Sequence, residues 1–298
     1  MLKVEHISKS YDDLKAVDDL SFEVKPGEIF GLLGVNGAGK TTTFRLIVNL
    51  LETETGKITL DGKPIDYTVS DKIGFLTEER SLFTKMFVDE QIMYYGRLKG
   101  MNKKDIEEKT DYWLKRLNMT EFKHKKIKEL SKGNQQKLQF ITSVINNPRL
   151  LILDEPFTSL DPFNVSLLVE VLKEMSDNGC IVIFSSHRME HVELFCEELL
   201  ILVRGKSILS GSLKQIKEDY RKKSIHVNGN ININKIKELK GVEDVEKTPE
   251  EYIIRIADKK YIDDVFNIVK EGKNIVKFNV EDPTLDEIFV SKVGEVYE

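Results

Sequence analysis

The stretch GVNGAGKTT, Gly34 to Thr42, restricts this chain more than any other. It has the spacing of a phosphate-binding loop: a glycine, four residues, then Gly39, Lys40 and Thr41. An apolar run from Glu28 to Leu33 leads into it as a strand would, and Thr42 to Leu51 reads as a helix. Glycines let backbone N–H groups converge on phosphate oxygens, a lysine offsets charge on the outer phosphates, and the Thr41 hydroxyl can ligate magnesium. A chance glycine turn would not need the flanking strand and helix. The ligand announced is a nucleoside triphosphate, with Gly34, Val35, Asn36, Gly37, Ala38, Gly39, Lys40, Thr41 and Thr42 as its candidate contacts.

Three further short apolar runs, Ile73 to Leu76, Leu150 to Leu153 and Cys180 to Phe184, also end in polar residues. Continuous apolarity suits strands covered on both faces of a mainly parallel sheet. The downstream ends of such strands are where α/β proteins place ligands, and here they carry Gly34, Glu78, Asp154 with Glu155, and His187. In RLLILDEP, Asp154 can hold magnesium, and Glu155 can orient and deprotonate a water for in-line attack on a γ-phosphate. Adjacent carboxylates at a strand end could instead cap the next helix. The phosphate loop upstream favours the chemical reading.

The rest of the chain is patterned differently. The opening segment reads as antiparallel β over Leu2 to Ile7, Leu20 to Val24 and Lys57 to Ile65, with Asp61 and Gly62 as a hairpin turn. Between Ser81 and Asn147 apolar residues such as Ile92, Tyr95, Leu98, Trp113, Leu114 and Leu117 recur at helical spacing. Beyond about Asp219 the order becomes βαββαβ: strand Ser224 to Val227, helix Asn234 to Leu239, strands Val242 to Lys247 and Glu251 to Ile256, helix Lys259 to Lys270, strand Asn274 to Val280. That is the ferredoxin-like split unit, and Thr284 to Val290 adds a final helix. A length of 298 residues agrees with two domains.

With 45 basic and 50 acidic residues the net charge of -5 gives no bulk attraction to nucleic acid or anionic lipid. No apolar run approaches the roughly 18 residues of a membrane span, and no export signal opens the chain. Cys180 and Cys196 sit in apolar patterns without metal-ligand spacing, which reads as two reduced core thiols and a reducing compartment.

KELSKGNQQKLQF, Lys128 to Phe140, is a second phosphate-like feature: a hydroxyl, a basic side chain, a glycine and amides opening an amphipathic helix. Ser131 could equally be a plain helix cap. Its order relative to the other motifs supplies the context. The phosphate loop, LSKGNQQ at Leu130 to Gln136, LLILDEP, SLDP at Ser159 to Pro162 and SSH at Ser185 to His187 follow one another as in the ATP-binding subunits of ABC transporters, which Leu2 to Tyr220 resembles.

That resemblance implies a fold and a set of roles. The fold is an α/β P-loop cassette with a mainly parallel core sheet, an antiparallel β subdomain and a helical subdomain at about residues 81–147, spanning 1–220, followed by a ferredoxin-like α+β domain over 221–298. The cofactors are ATP and Mg2+. Two subunits, a homodimer or a heterodimer with a related ATPase, clamp two nucleotides head to tail, so that Ser131 and Gly133 of one face the γ-phosphate in the other. Asp161 matches the loop coupling the two sites, His187 the histidine that contacts the γ-phosphate, and Tyr11 the ring stacked on adenine. Three positions depart from the family pattern: Lys132 replaces a glycine, Asn134 a glutamine, and Glu78 the glutamine that commonly reaches the magnesium.

The resemblance further implies a separate membrane permease as partner, docked along Arg80 to Tyr95, where Phe83, Met86 and Phe87 stand. It places the chain in the cytoplasm on the inner face of the membrane. The C-terminal region and its DPTLDEIF stretch resemble subunits serving drug, peptide or sodium exporters. Ribosome-bound ABC proteins look like tandem cassettes with a basic linker, and chromosome-organising ones carry long coiled coils between the two motifs. One acidic chain with a single phosphate loop and a short connection fits neither.

Overall fold

The computed structural model describes residues 1–220 and 222–297. It divides into two compact units, Met1–Ser210 and Gly211–Glu298.

The first unit opens with the long hairpin β1 (Leu2–Tyr11) and β2 (Leu14–Val24). The phosphate loop joins β3 (Ile29–Gly34) to α1 (Lys40–Ile47). Next come β4 (Thr55–Leu60) and β5 (Lys63–Pro64), with Asp61 and Gly62 both at positive φ between them, the hairpin geometry their sequence demands. These strands form an antiparallel sheet in the order β2-β1-β4-β5. The stretch Lys57 to Ile65, read from sequence as antiparallel β turning at Asp61 and Gly62, is a strand, that turn and a two-residue return.

After β6 (Ile73–Leu76) the chain makes three helices, α2 (Val88–Leu98), α3 (Lys103–Arg116) and α4 (Lys132–Val144). It returns through β7 (Leu150–Leu153), α5 (Pro162–Asp177), β8 (Ile181–Ser186), α6 (Met189–Glu193), β9 (Glu198–Val203) and β10 (Lys206–Ser212). The second sheet runs β10-β9-β3-β8-β7-β6, with β3, β6, β7, β8 and β9 all parallel. Every residue of β3, β7 and β8 is buried, as continuous apolar runs predict. Sequence reasoning left β9 and β10 unassigned, although β9 lies directly beside β3.

The main core lies where the two sheets face each other around α1, with Leu2, Leu20 and Val24 against Leu32, Phe44, Ile152 and Ile183. Burying each such side chain contributes about 1.5–3 kcal/mol, which fixes the strand ends that the site uses. Parallel register sets those ends side by side: Leu33 pairs with Ser186, Leu153 with Phe184, and Leu76 with Leu153. The phosphate loop, Glu78, Asp154 and His187 therefore leave one rim of the sheet.

The second unit starts with α7 (Leu213–Asp219) and continues as β11 (Lys223–Asn230), α8 (Ile233–Lys237), β12 (Val242–Lys247), β13 (Tyr252–Ile256), α9 (Ile262–Val269), β14 (Lys273–Glu281) and α10 (Leu285–Tyr297). Its sheet, β12-β13-β11-β14, is antiparallel throughout, the ferredoxin-like order. Ile225, Val227, Ile254 and Ile256 face Ile236, Val265 and Val269 in its own core.

Candidate active site

The loop from Gly34 to Gly39 curls around the Lys40 side chain, whose ammonium donates to the carbonyl oxygens of Gly34 (2.7 Å) and Val35 (3.2 Å). Burial pulls the Lys40 pKa down, while Glu155, Asp154 and Glu78 favour its charge. Gly39 sits at φ +108, and a Cβ there would collide with the Ala16 carbonyl oxygen, so the loop passes its neighbour as glycine allows. Because α1 begins at Gly39 with no side-chain cap, its first-turn N–H groups remain available to an anion. The β9–β10 turn braces the loop from behind, with Gly205 N–H donating to the Ala38 carbonyl at 2.9 Å.

Asp154 is almost fully buried at the end of β7 and is held from two sides. Thr41 Oγ1 donates to its Oδ2 at 2.8 Å, and Ser185 Oγ to its Oδ1 at 2.6 Å. The Glu155 N–H in turn donates to Ser185 Oγ at 3.0 Å. Glu155 adopts a left-handed backbone (φ +52), a conformation held here by its neighbours. Its Oε1 meets His187 Nδ1 at 2.8 Å, with the imidazole half exposed and the carboxylate buried. Burial pushes the Glu155 carboxyl up, and His187 and Lys40 oppose that shift.

An open cleft of about 350 Å³ is lined by Tyr11, Asn36 to Thr42, Glu78, Asp154 and Glu155. Glu78 lies on its exposed rim, as does Tyr11, 44% exposed at the end of β1. A larger hollow of about 660 Å³ opens at the upstream ends of the strands, between Trp113 and Cys180, and holds none of these groups.

Ser131, Gly133 and Asp161 do not line the cleft. Ser131 caps α4, its side chain accepting from the Asn134 N–H at 3.2 Å. Asp161 caps α5, accepting from the Asn164 N–H at 2.9 Å and its amide at 2.7 Å. Gly133 abuts the loop that leads into α5: a Cβ there would stand 3.0 Å from the Ser159 carbonyl oxygen.

Two positioning residues escaped sequence reasoning. Ser185, quoted only as part of SSH, orients the Glu155 backbone and the Asp154 carboxylate together. Gln139 is buried on α4, and its Nε2 donates to the carbonyls of Thr77 (2.8 Å) and Glu79 (3.3 Å), clamping the loop that carries Glu78. The two thiols lie apart from all this, buried and pushed up to about 12 by burial.

Residues 17–158 match the family model described as ABC transporter, and residues 211–293 match that of the ATP-binding protein DrrA1-3-like, C-terminal domain. The chain is 45% identical, over the whole length of both, to the uncharacterized ABC transporter ATP-binding protein YhaQ of Bacillus subtilis. It belongs to the ABC transporter ATP-binding proteins. This ABC subunit is an ATP-binding ATPase, and the matched residues 17–158 lie within its first unit. It is also 30% identical to the linearmycin resistance ATP-binding protein LnrL of Bacillus subtilis, covering 99% of this chain and 98% of that one. A solved ATP-binding subunit of an ABC transporter superposes with a TM-score of 0.69 at 27% identity, covering 74% of this subunit and 93% of the other. Among the described residues no helix is long and apolar enough to cross a membrane.

Proposed function

We propose that this subunit hydrolyses Mg–ATP at two composite sites of a head-to-tail dimer and thereby powers export by a separate membrane permease, from the cytoplasmic face. One observation carries the reading: the cleft gathers the phosphate loop, Asp154 and Glu155, while Ser131, the cap of α4, and Gly133 in its first turn lie outside it. Those two residues would then serve the nucleotide of a second copy. The α4 start supplies N–H groups and a hydroxyl to a γ-phosphate, and Gly133 permits the close approach.

Within one cleft, Lys40 offsets charge on the outer phosphates and Tyr11 stacks on the base. Glu155 takes a proton from the attacking water, and His187, already paired with it, reaches the γ-phosphate. The Thr41 hydroxyl and the Asp154 carboxylate, 2.8 Å apart, are hard oxygen donors of the kind magnesium takes, and Glu78 adds a third on the same cleft. Bound there, the ion would neutralise charge between the outer phosphates. Asp161 joins the two sites.

Export of a drug-like compound is favoured by the full-length likeness to LnrL, a resistance protein by name. The permease would dock between the parallel sheet and the helices, where a groove of about 270 Å³ runs past Leu50, Tyr95 and Gln139. Beside it Phe83 and Tyr94, both exposed and edge to face at 5.4 Å, form an aromatic cluster with the half-buried Tyr95. Residues 1–220 act as the motor, and 221–298 as an accessory domain. The deciding test is Glu155→Gln, expected to bind ATP, hydrolyse it about 10² to 10⁴ times more slowly and accumulate as a dimer in light scattering. An ATP-loaded variant that stays monomeric would refute the clamp.

A further inference from the structure

The C-terminal sheet ends in two edges of opposite chemistry. The edge β12, VEDVEK, carries charges at Glu243, Asp244, Glu246 and Lys247, which discourage pairing with another chain. The edge β14, KNIVKFNVE, is less heavily charged: Lys273, Lys277 and Glu281 stand among exposed apolar side chains, and Lys277 is drawn to Glu251 at 2.9 Å. All its residues except Phe278 are exposed, Val276 to 81%, with Ile275 and Val280 also in solvent. Phe266 of α9, 46% exposed, packs edge to face on Phe278 with ring centroids 5.0 Å apart, extending the apolar ledge. None of Val276, Val280 and Phe266 belongs to the buried core of the unit, which is closed by Ile225, Val227, Ile254 and their partners.

We propose that β14 is a docking edge for the β14 of a second copy, joining two four-stranded sheets into one. A two-fold axis across an edge strand forces antiparallel pairing of the strand with itself, so some residue must face its own counterpart. Setting that residue as Phe278 places Val276 opposite the second copy's Val280, Lys277 opposite Asn279 and Ile275 opposite Glu281. Apolar residues then meet apolar ones on the Phe266 side, and no like charges oppose. Centring on Lys277 would set that lysine against itself, and centring on Asn279 would set Val276 against Asp282, beyond the strand. The favoured register uses Ile275 to Glu281, downstream of Asn274 at φ +54; β14 pairs β11 in regular register from Lys277 to Glu281, and the irregular part of that ladder lies between Lys273 and Lys277. Pairing satisfies the outward backbone groups of an edge strand and removes Val276 and Val280 from water.

This contact needs no nucleotide, which separates it from the ATP-driven clamp. The full chain carrying Lys40→Ala, kept free of nucleotide, is expected to dimerise with concentration in sedimentation, and Val276→Lys to raise the dissociation constant by about tenfold or more. Directly opposed residues have Cα atoms about 4.5–5.5 Å apart, within disulfide reach. Chains with Val276→Cys mixed with chains carrying Val280→Cys should therefore cross-link about tenfold faster than either alone. Both positions are exposed, so folding is not at stake, and the two natural thiols are buried. A nucleotide-free chain that stays monomeric throughout, or a mixture that links no faster than its components, would overturn the proposal.

Discussion

Glu155 is pulled in two directions: burial raises its carboxyl above the ordinary carboxylate range, and His187 and Lys40 draw it down. As the proposed base it works only when ionised, so turnover at saturating Mg–ATP should rise with pH along an acid limb above the usual carboxylate range. His187→Ala removes the larger of the two opposing influences. The limb should then move to higher pH as well as the rate falling, and a limb that stays in place would detach His187 from Glu155. Asp61 presents the opposite sign. Arg149, through hydrogen bonds at 3.0 and 3.3 Å, and after it the Met1 ammonium hold its carboxyl down at about 2, from an ordinary 3.8. The stabilisation is complete above the unfolded value and is lost as pH falls toward 2. Asp61→Asn should flatten the acid-unfolding curve in that window, by a modest amount because the pair is half exposed.

At the scale of elements, α4 works as a tie between distant loops. Its start carries Ser131, and Gln139, eight residues on and so about 12 Å along the axis, holds the carbonyls flanking Glu78. The amide orientation follows from chemistry, since an oxygen turned toward those two carbonyls would repel them. Gln139→Leu keeps the bulk and removes the donors. It should raise the Mg2+ concentration for half-maximal hydrolysis in the same direction as Glu78→Gln, and a variant with unchanged Mg2+ dependence would show that the clamp is dispensable. The strands β3, β6, β7 and β8 were legible because a short, unbroken apolar run that stops at polar residues suits a strand covered on both faces and little else. β9 was not assigned, since its run follows Glu197 and Glu198 with no phosphate-binding or acidic motif after it. Gln139 left no trace in the sequence, where a glutamine on a helix looks like any solvated side chain. Ser185 was visible as part of a motif, but its hold on Asp154 depends on the register between β7 and β8, which only the folded sheet provides.

At the scale of the whole molecule the cleft is short of the α4 tip, and the proposed remedy is a second copy. Mixing Lys40→Ala chains with Ser131→Arg chains should restore about half of the sites in each mixed pair at most, because one cleft then combines an intact loop with an intact tip. Hydrolysis in the mixture with none in either variant alone is the expected result, and a silent mixture would argue against shared sites. The same geometry has a genetic corollary. A polypeptide bearing both lesions spoils each cleft of any pair it enters, its own for want of Lys40 and its companion's for want of Ser131. Expressed beside the normal gene product, it would behave as a dominant poison rather than a recessive loss.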